Sequence, residues 1–144
     1  MKHLPTLFTQ YGIGERPLNE DDVLKIYDDL HITILESSDG VFTFTMLGRT
    51  FVALPKRRKG LKRLHSLLHE LGHILLMNGK EPSVAFQTLR YCDHDKAEAE
   101  AEAIALMALI PKNLIEESAY EFGLTRYGDR LWRERCRLYF LYDI

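Results

Sequence analysis

Apolar positions along the chain change their period twice. Val23, Ile26, Tyr27 and Leu30 recur at helical spacing. Asn19 is placed to cap that helix, and Glu20, Asp21 and Asp22 fill its first turn. A helix to about Leu30 is therefore expected, preceded by a polar stretch (1–19) read as an irregular arm. From His31 the period drops to two. Ile32 and Ile34 share a face in His31–Glu36, and Val41–Met46 is β-rich behind the turn signal Ser38-Asp39-Gly40. Arg49–Leu54 follows Leu47-Gly48, a second expected hairpin turn. Pro55 ends the segment, and a small three-stranded antiparallel sheet is the expectation.

Leu64, Leu67, Leu68, Leu71 and Leu75 then restore the helical period. They predict a helix from about Leu61 to Met77, stopped by Asn78-Gly79. Residues 81–91 have no clear period and read as a loop with a helical turn. Asp93 is placed to cap a helix over His94–Ile110, which is apolar on most sides past Glu102 and so expected at the centre of the fold. Pro111 breaks it. Helices over Asn113–Phe122 and Arg126–Phe140, separated by Gly123-Leu124-Thr125, complete a helical second half. Leu131, Trp132, Leu138, Tyr139 and Phe140 read as core or a partner groove, core being the commoner role of an aromatic stripe at helical spacing. The fold class is α+β, mainly helical, as one domain over residues 1–144.

Composition narrows the possible partners. A chain of 144 residues suits one core, and a net charge of -2 argues against a general nucleic-acid binder. Six of the eight residues 56–63 are basic; they read as a solvated loop entering a helix, with a phosphate-binding patch as the sharper alternative. Met1-Lys2-His3-Leu4-Pro5 carries no signal-peptide run, and the longest apolar run, Ala103–Ile110, is too short to span a bilayer. A cytoplasmic protein with no membrane partner is expected, its Cys92 and Cys136 reduced and packed as small hydrophobes.

The chemistry is concentrated in His69-Glu70-Leu71-Gly72-His73. Residues four apart on a helix share a face, so His69 and His73 can hold one Zn²⁺ at roughly 2.0–2.1 Å. Glu70 points to the side of the ion, where it can take a proton from an attacking water and pass it to a leaving amine. His65 lies one further turn back. Three histidines on one straight helix do not easily reach one tetrahedral ion, so His65 reads as a packing residue or a partner of the ligands.

A third ligand must come from elsewhere, because Leu76 and Gly79 stand where the extended motif has its glycine and last histidine. The next helix offers Glu98, Glu100 and Glu102. Glu98 and Glu102 share a face, whereas Glu100 projects about 200° away from Glu98. Glu98 is the expected ligand and Glu102 the expected acceptor for a ligand histidine's free ring N–H. Glu100 is the alternative ligand and His94 a weaker one. Tyr120, Arg126, Tyr127, Arg133, Tyr91 and His94 are candidates to stabilise an oxyanion; spacing singles out none of them.

His-Glu-Leu-Gly-His-Ile-Leu-Leu at 69–76, followed by Glu98-Ala-Glu-Ala-Glu-Ala-Ile-Ala-Leu-Met-Ala-Leu-Ile-Pro111, resembles the ImmA/IrrE family of metallopeptidases. That family has an H-E-L-G-H-x-L-L helix and then a helix of the form E-x-E-A-N-x-F-A-x-x-L-L-M-P. The resemblance covers roughly Asp21 to Leu141. It implies a zincin-like motif helix packed on a second ligand-bearing helix, with His69, His73 and Glu98 as ligands and Glu70 as catalytic base. Glu102 stands where the family often has Asn, Ile104 where it has Phe, Ala108 where it has Leu and Ile110 where it has Met. Family members are often encoded on phages and mobile elements beside a helix-turn-helix repressor, which the resemblance implies as partner. The expected function is thus a zinc-dependent endopeptidase of narrow specificity acting on a regulatory protein. A zinc module that acts on its partner by binding alone is the alternative, and a nucleic-acid-binding regulator using residues 56–63 is a third reading.

Overall fold

The computed structural model describes residues 6–78 and 93–144. The expectations for 81–91, Tyr91 and Cys92, and for the side chains of Asp93 and His94, lie outside the described residues.

One helical turn, α1 (Thr6–Thr9), opens the described chain. It buries Phe8, the irregular segment after it buries Ile13 and Leu18, and the Leu18 N–H donates to the Ala108 carbonyl at 2.9 Å. Helix α2 (Glu20–Asp29) starts at the expected cap. The Asn19 Oδ1 accepts from the Asp22 N–H at 2.9 Å and the Asp22 Oδ2 accepts from the Asn19 N–H at 2.9 Å, which closes a capping box. Val23, Ile26 and Tyr27 face the core.

Strands β1 (Ile32–Ser37), β2 (Phe42–Met46) and β3 (Arg49–Pro55) form one sheet in the order β1-β3-β2. The β2–β3 hairpin turns on Leu47-Gly48, both at positive φ (53° and 73°), as a tight hairpin requires. The expected all-antiparallel pairing is corrected here: β1 pairs with β3 in parallel, so the sheet is mixed. The reason lies in β3. Phe51, Val52, Ala53 and Leu54 are all buried, the mark of a strand covered on both faces, and such a strand takes the centre. On the inward face, Ile34, Val52 and Thr43 make one cross-strand row.

Helix α3 (Gly60–Asn78) buries Leu67, Leu68, Leu71, Ile74 and Leu75. The basic stretch forms the turn before it and its first residues. There Arg57 pairs with Asp39, Arg58 donates to the Ser66 hydroxyl at 2.8 Å and Arg63 pairs with Glu20 at 2.7 Å. Helix α4 (Asp93–Leu109) runs against α3, and every residue from Ala103 to Ile110 is buried, at the centre as expected.

The last two helices are divided differently from the expectation. Helix α5 is Lys112–Glu117, and α6 spans Tyr120–Tyr142 with an interruption at Gly128 (φ 81°, ψ 164°). Gly123-Leu124-Thr125 is helical. A Cβ on Gly123 would lie 2.0 Å from the Trp132 indole, so this glycine is a docking surface rather than a breaker. Tyr127 stacks on Trp132, the two ring centroids 6.2 Å apart. Arg135, fully buried, donates from Nε to the Ile110 carbonyl at 2.5 Å and from Nη1 to the Ile144 carbonyl at 2.8 Å. It thereby satisfies a carbonyl that the end of α4 leaves open, and burial lowers its pKa to about 10. Among the described residues no helix is long and apolar enough to cross a membrane.

Gly123→Ala tests the packing against propensity. Alanine favours a helix by about 1 kcal/mol, yet the clash with Trp132 should destabilise the protein by about 1–3 kcal/mol net. A lower denaturant midpoint is the expected result; a higher one contradicts the contact.

Candidate metal centre

Helix α3 turns its leucines inward, which leaves His65, His69 and His73 on a half-buried arc one turn apart. The His69 and His73 rings lie 5.0 Å apart between centroids. Glu70, next around the helix, is 7% exposed and faces β2, where the Thr43 hydroxyl donates to its Oε2. Beneath it the Tyr27 phenol donates to the Leu67 carbonyl at 2.5 Å. Burial first, and then the Glu70 carboxylate, push that phenol well above the tyrosine range, so it stays protonated.

Helix α4 brings its carboxylates over this arc. The His69 Nε2 lies 3.1 Å from Glu98 Oε2, and the His73 Nε2 lies 3.1 Å from Glu98 Oε1. His69, His73 and Glu98 each present a ligand atom within 4.8 Å of the others. These three residues can hold a metal ion, and two imidazoles with a carboxylate make a chemically suitable donor set.

Glu102, one turn on, reaches the far side of His69. Its Oε2 sits 2.7 Å from His69 Nδ1 and its Oε1 2.7 Å from His65 Nε2. An ionised carboxylate only accepts, so each histidine donates there. His69 therefore carries a proton on Nδ1, which leaves Nε2, 3.1 Å from Glu98 Oε2, as the nitrogen that a metal ion would take in place of its proton. The bond to Glu102 raises the pKa of His69, against the opposing effect of burial. For Glu102 itself burial opposes ionisation, but hydrogen bonds from His65 and His69 outweigh it and hold the carboxyl down at about 2. A full carboxylate suits this position because two N–H donors converge on it; an asparagine has one carbonyl oxygen to offer.

Glu100 is not brought to the cluster. It is 7% exposed, with Lys96 Nζ 3.8 Å from its Oε1, and among the described residues that oxygen has no hydrogen-bond partner. Burial raises its pKa, opposed by Lys96. The oxyanion candidates on α6 lie elsewhere too: Tyr127 is in the Trp132 stack, Arg126 covers the Tyr127 ring, Arg133 pairs with Asp129 at 2.6 Å, and Tyr120 lies 6.4 Å from Trp132. A cleft of about 470 Å³ opens beside the cluster, walled by β2 on one side and by Glu70, His73, Met77 and Glu98 on the other.

Two residues at this site escaped the sequence reading. Thr43 was signalled only by the Phe-Thr-Phe-Thr alternation of 42–45, which puts the threonines on one face. Gly72 was visible as a glycine inside a helix, a cost of about 1 kcal/mol that asks for a reason. The reason is α4: a Cβ on Gly72 would lie 2.8 Å from the Ala101 carbonyl oxygen and 3.0 Å from its Cα. Gly72→Ala should push α4 outward and draw Glu98 off the two histidines. We expect metal affinity to fall at least about tenfold with helix content retained; competition against a chromophoric chelator measures it, and unchanged affinity contradicts the contact.

The chain matches the peptidase M78 family model, described as the IrrE N-terminal-like domain, over residues 21–135. No curated protein and no solved structure matches it. The matched range contains α2, the sheet, α3, α4, α5 and most of α6, and with them His69, Glu70, His73, Glu98 and Glu102. The chain belongs to the ImmA/IrrE family of metallopeptidases.

Proposed function

We propose that the chain is one metallopeptidase domain, a zinc-dependent endopeptidase of narrow specificity. His69, His73 and Glu98 are its ligands and Glu70 its general base. The observation that carries this reading is the division of labour on α3. Two histidines converge on Glu98, while the carboxylate between them in sequence stays off the cluster and lines the cleft. A module that acts by binding alone has no use for that carboxylate.

The donor set supports zinc, which favours nitrogen and carboxylate ligands in a four-coordinate site with one position open. Zinc bound there supplies a Lewis acid that polarises a scissile carbonyl and acidifies water. The chain's own groups do the rest. Glu102 fixes the tautomer and tilt of His69. Glu70 takes a proton from the attacking water and returns it to the departing amine. The cleft along β2 has room for an extended segment beside these groups. The proposed substrate is a partner regulatory protein in the cytoplasm, such as a helix-turn-helix repressor, which would present the scissile bond itself.

Glu70→Gln with metal analysis tests the reading. The wild type is expected to bind about one zinc per chain. The variant should keep that zinc and lose at least about 100-fold in cleavage of the partner. If the variant still inactivates the partner fully, binding alone is the mechanism. A folded, active preparation without metal contradicts both readings. In parallel, Glu98→Ala should abolish tight zinc binding, whereas Glu100→Ala should leave it within about twofold.

A further inference from the structure

On the inward face of the sheet, Thr43 stands in a row with Ile34 and Val52. Val52 is fully buried and the row is otherwise aliphatic. Threonine and valine have nearly the same shape, so what Thr43 adds at this position is a hydroxyl. That hydroxyl donates to Glu70 Oε2. The bond joins an edge strand to the motif helix, across 27 positions of sequence, and both residues line the cleft.

We propose that Thr43 is a positioning residue for Glu70. A glutamate side chain has three rotatable bonds, and a free one spreads over several rotamers. The Thr43 bond holds Oε2 against β2 and leaves Oε1 to receive and release the travelling proton. Because β2 also walls the cleft, the same strand sets both the wall of the cleft and the reach of the base. Proton transfer is sensitive to such placement, a shift of about 1 Å costing on the order of 100-fold in rate. Among the described residues the Thr43 hydroxyl bonds to Glu70 and to none of His69, His73 and Glu98, so it should govern the base and not the ion. This inference rests on the peptidase reading for its kinetic consequence, but the placement of Glu70 is a property of the metal-free chain as well.

Thr43→Val and Thr43→Ser test it, each made in the full chain. For partner cleavage, Thr43→Val should lower kcat about 10–100-fold with KM and zinc content nearly unchanged. Thr43→Ser should recover most of the rate. In the metal-free protein, ¹³C labelling of glutamate carboxyls gives a Glu70 signal assigned by its loss in Glu70→Gln. That signal should move or broaden in Thr43→Val and return to its wild-type position in Thr43→Ser. A Thr43→Val signal and rate equal to wild type overturn the proposal. Equal losses in both variants also overturn it, because they make Thr43 a matter of packing. If the wild type cleaves nothing, the peptidase reading fails by that result alone, and the carboxyl signal still decides whether Thr43 holds Glu70.

Discussion

Helices α3 and α4 cross where Gly72 meets the backbone of Ala101 with no room for a methyl group between them. The candidate site depends on that closeness. Glu98 stands three residues before Ala101 and Glu102 one residue after it, on the face that α4 turns toward α3. Only at this separation do the Glu98 oxygens come within 3.1 Å of both His69 and His73. The buried run Ala103–Ile110 anchors α4 in the core, and the crossing then fixes where its acidic half lies. Glycine inside a helix weakens it by about 1 kcal/mol. Burial of the leucine stripe of α3, in one core with the buried run Ala103–Ile110, outweighs that cost, since each fully buried leucine or isoleucine contributes about 1.5–3 kcal/mol.

The electrostatic arrangement follows from the same crossing. Glu102 lies between His65 and His69 and accepts from both, which keeps it ionised despite its burial. His65 thus has a role in this chain that the metal cluster alone does not require. It fills the second oxygen of a carboxylate that would otherwise be underbonded, and so helps to hold the oxygen that orients His69. The glutamate at 102 and the histidine at 65 make sense together, as two halves of one hydrogen-bonded bridge between the helices.

Much of this was legible in the chain. Periodicity located α2, the three strands, α3 and α4 to within a residue or two, because each carries a continuous pattern and a cap or breaker at its ends. The i, i+4 spacing of His69 with His73 and of Glu98 with Glu102 carried real geometric content, since it survives whatever the helices pack against. What was not legible depends on contacts between segments far apart. Strand order turned on the double-sided burial of β3, and a hairpin signal at Ser38-Asp39-Gly40 does not reveal that another strand will be inserted. The role of Gly123 depends on Trp132, and that of Gly72 on Ala101, so glycines that look like breakers or neutral fillers act as contact points. Arg135 lies on an otherwise exposed-looking charged helix and is buried because two carbonyls need it.

If the α3–α4 crossing builds a metal site from two histidines and one carboxylate, zinc K-edge X-ray absorption on the zinc-loaded full chain will resolve that donor set. The spectrum should show scattering from two imidazoles and from oxygen ligands at about 2.0–2.1 Å, with no sulfur shell. A thiolate at about 2.3 Å, or scattering from a single imidazole, would contradict it.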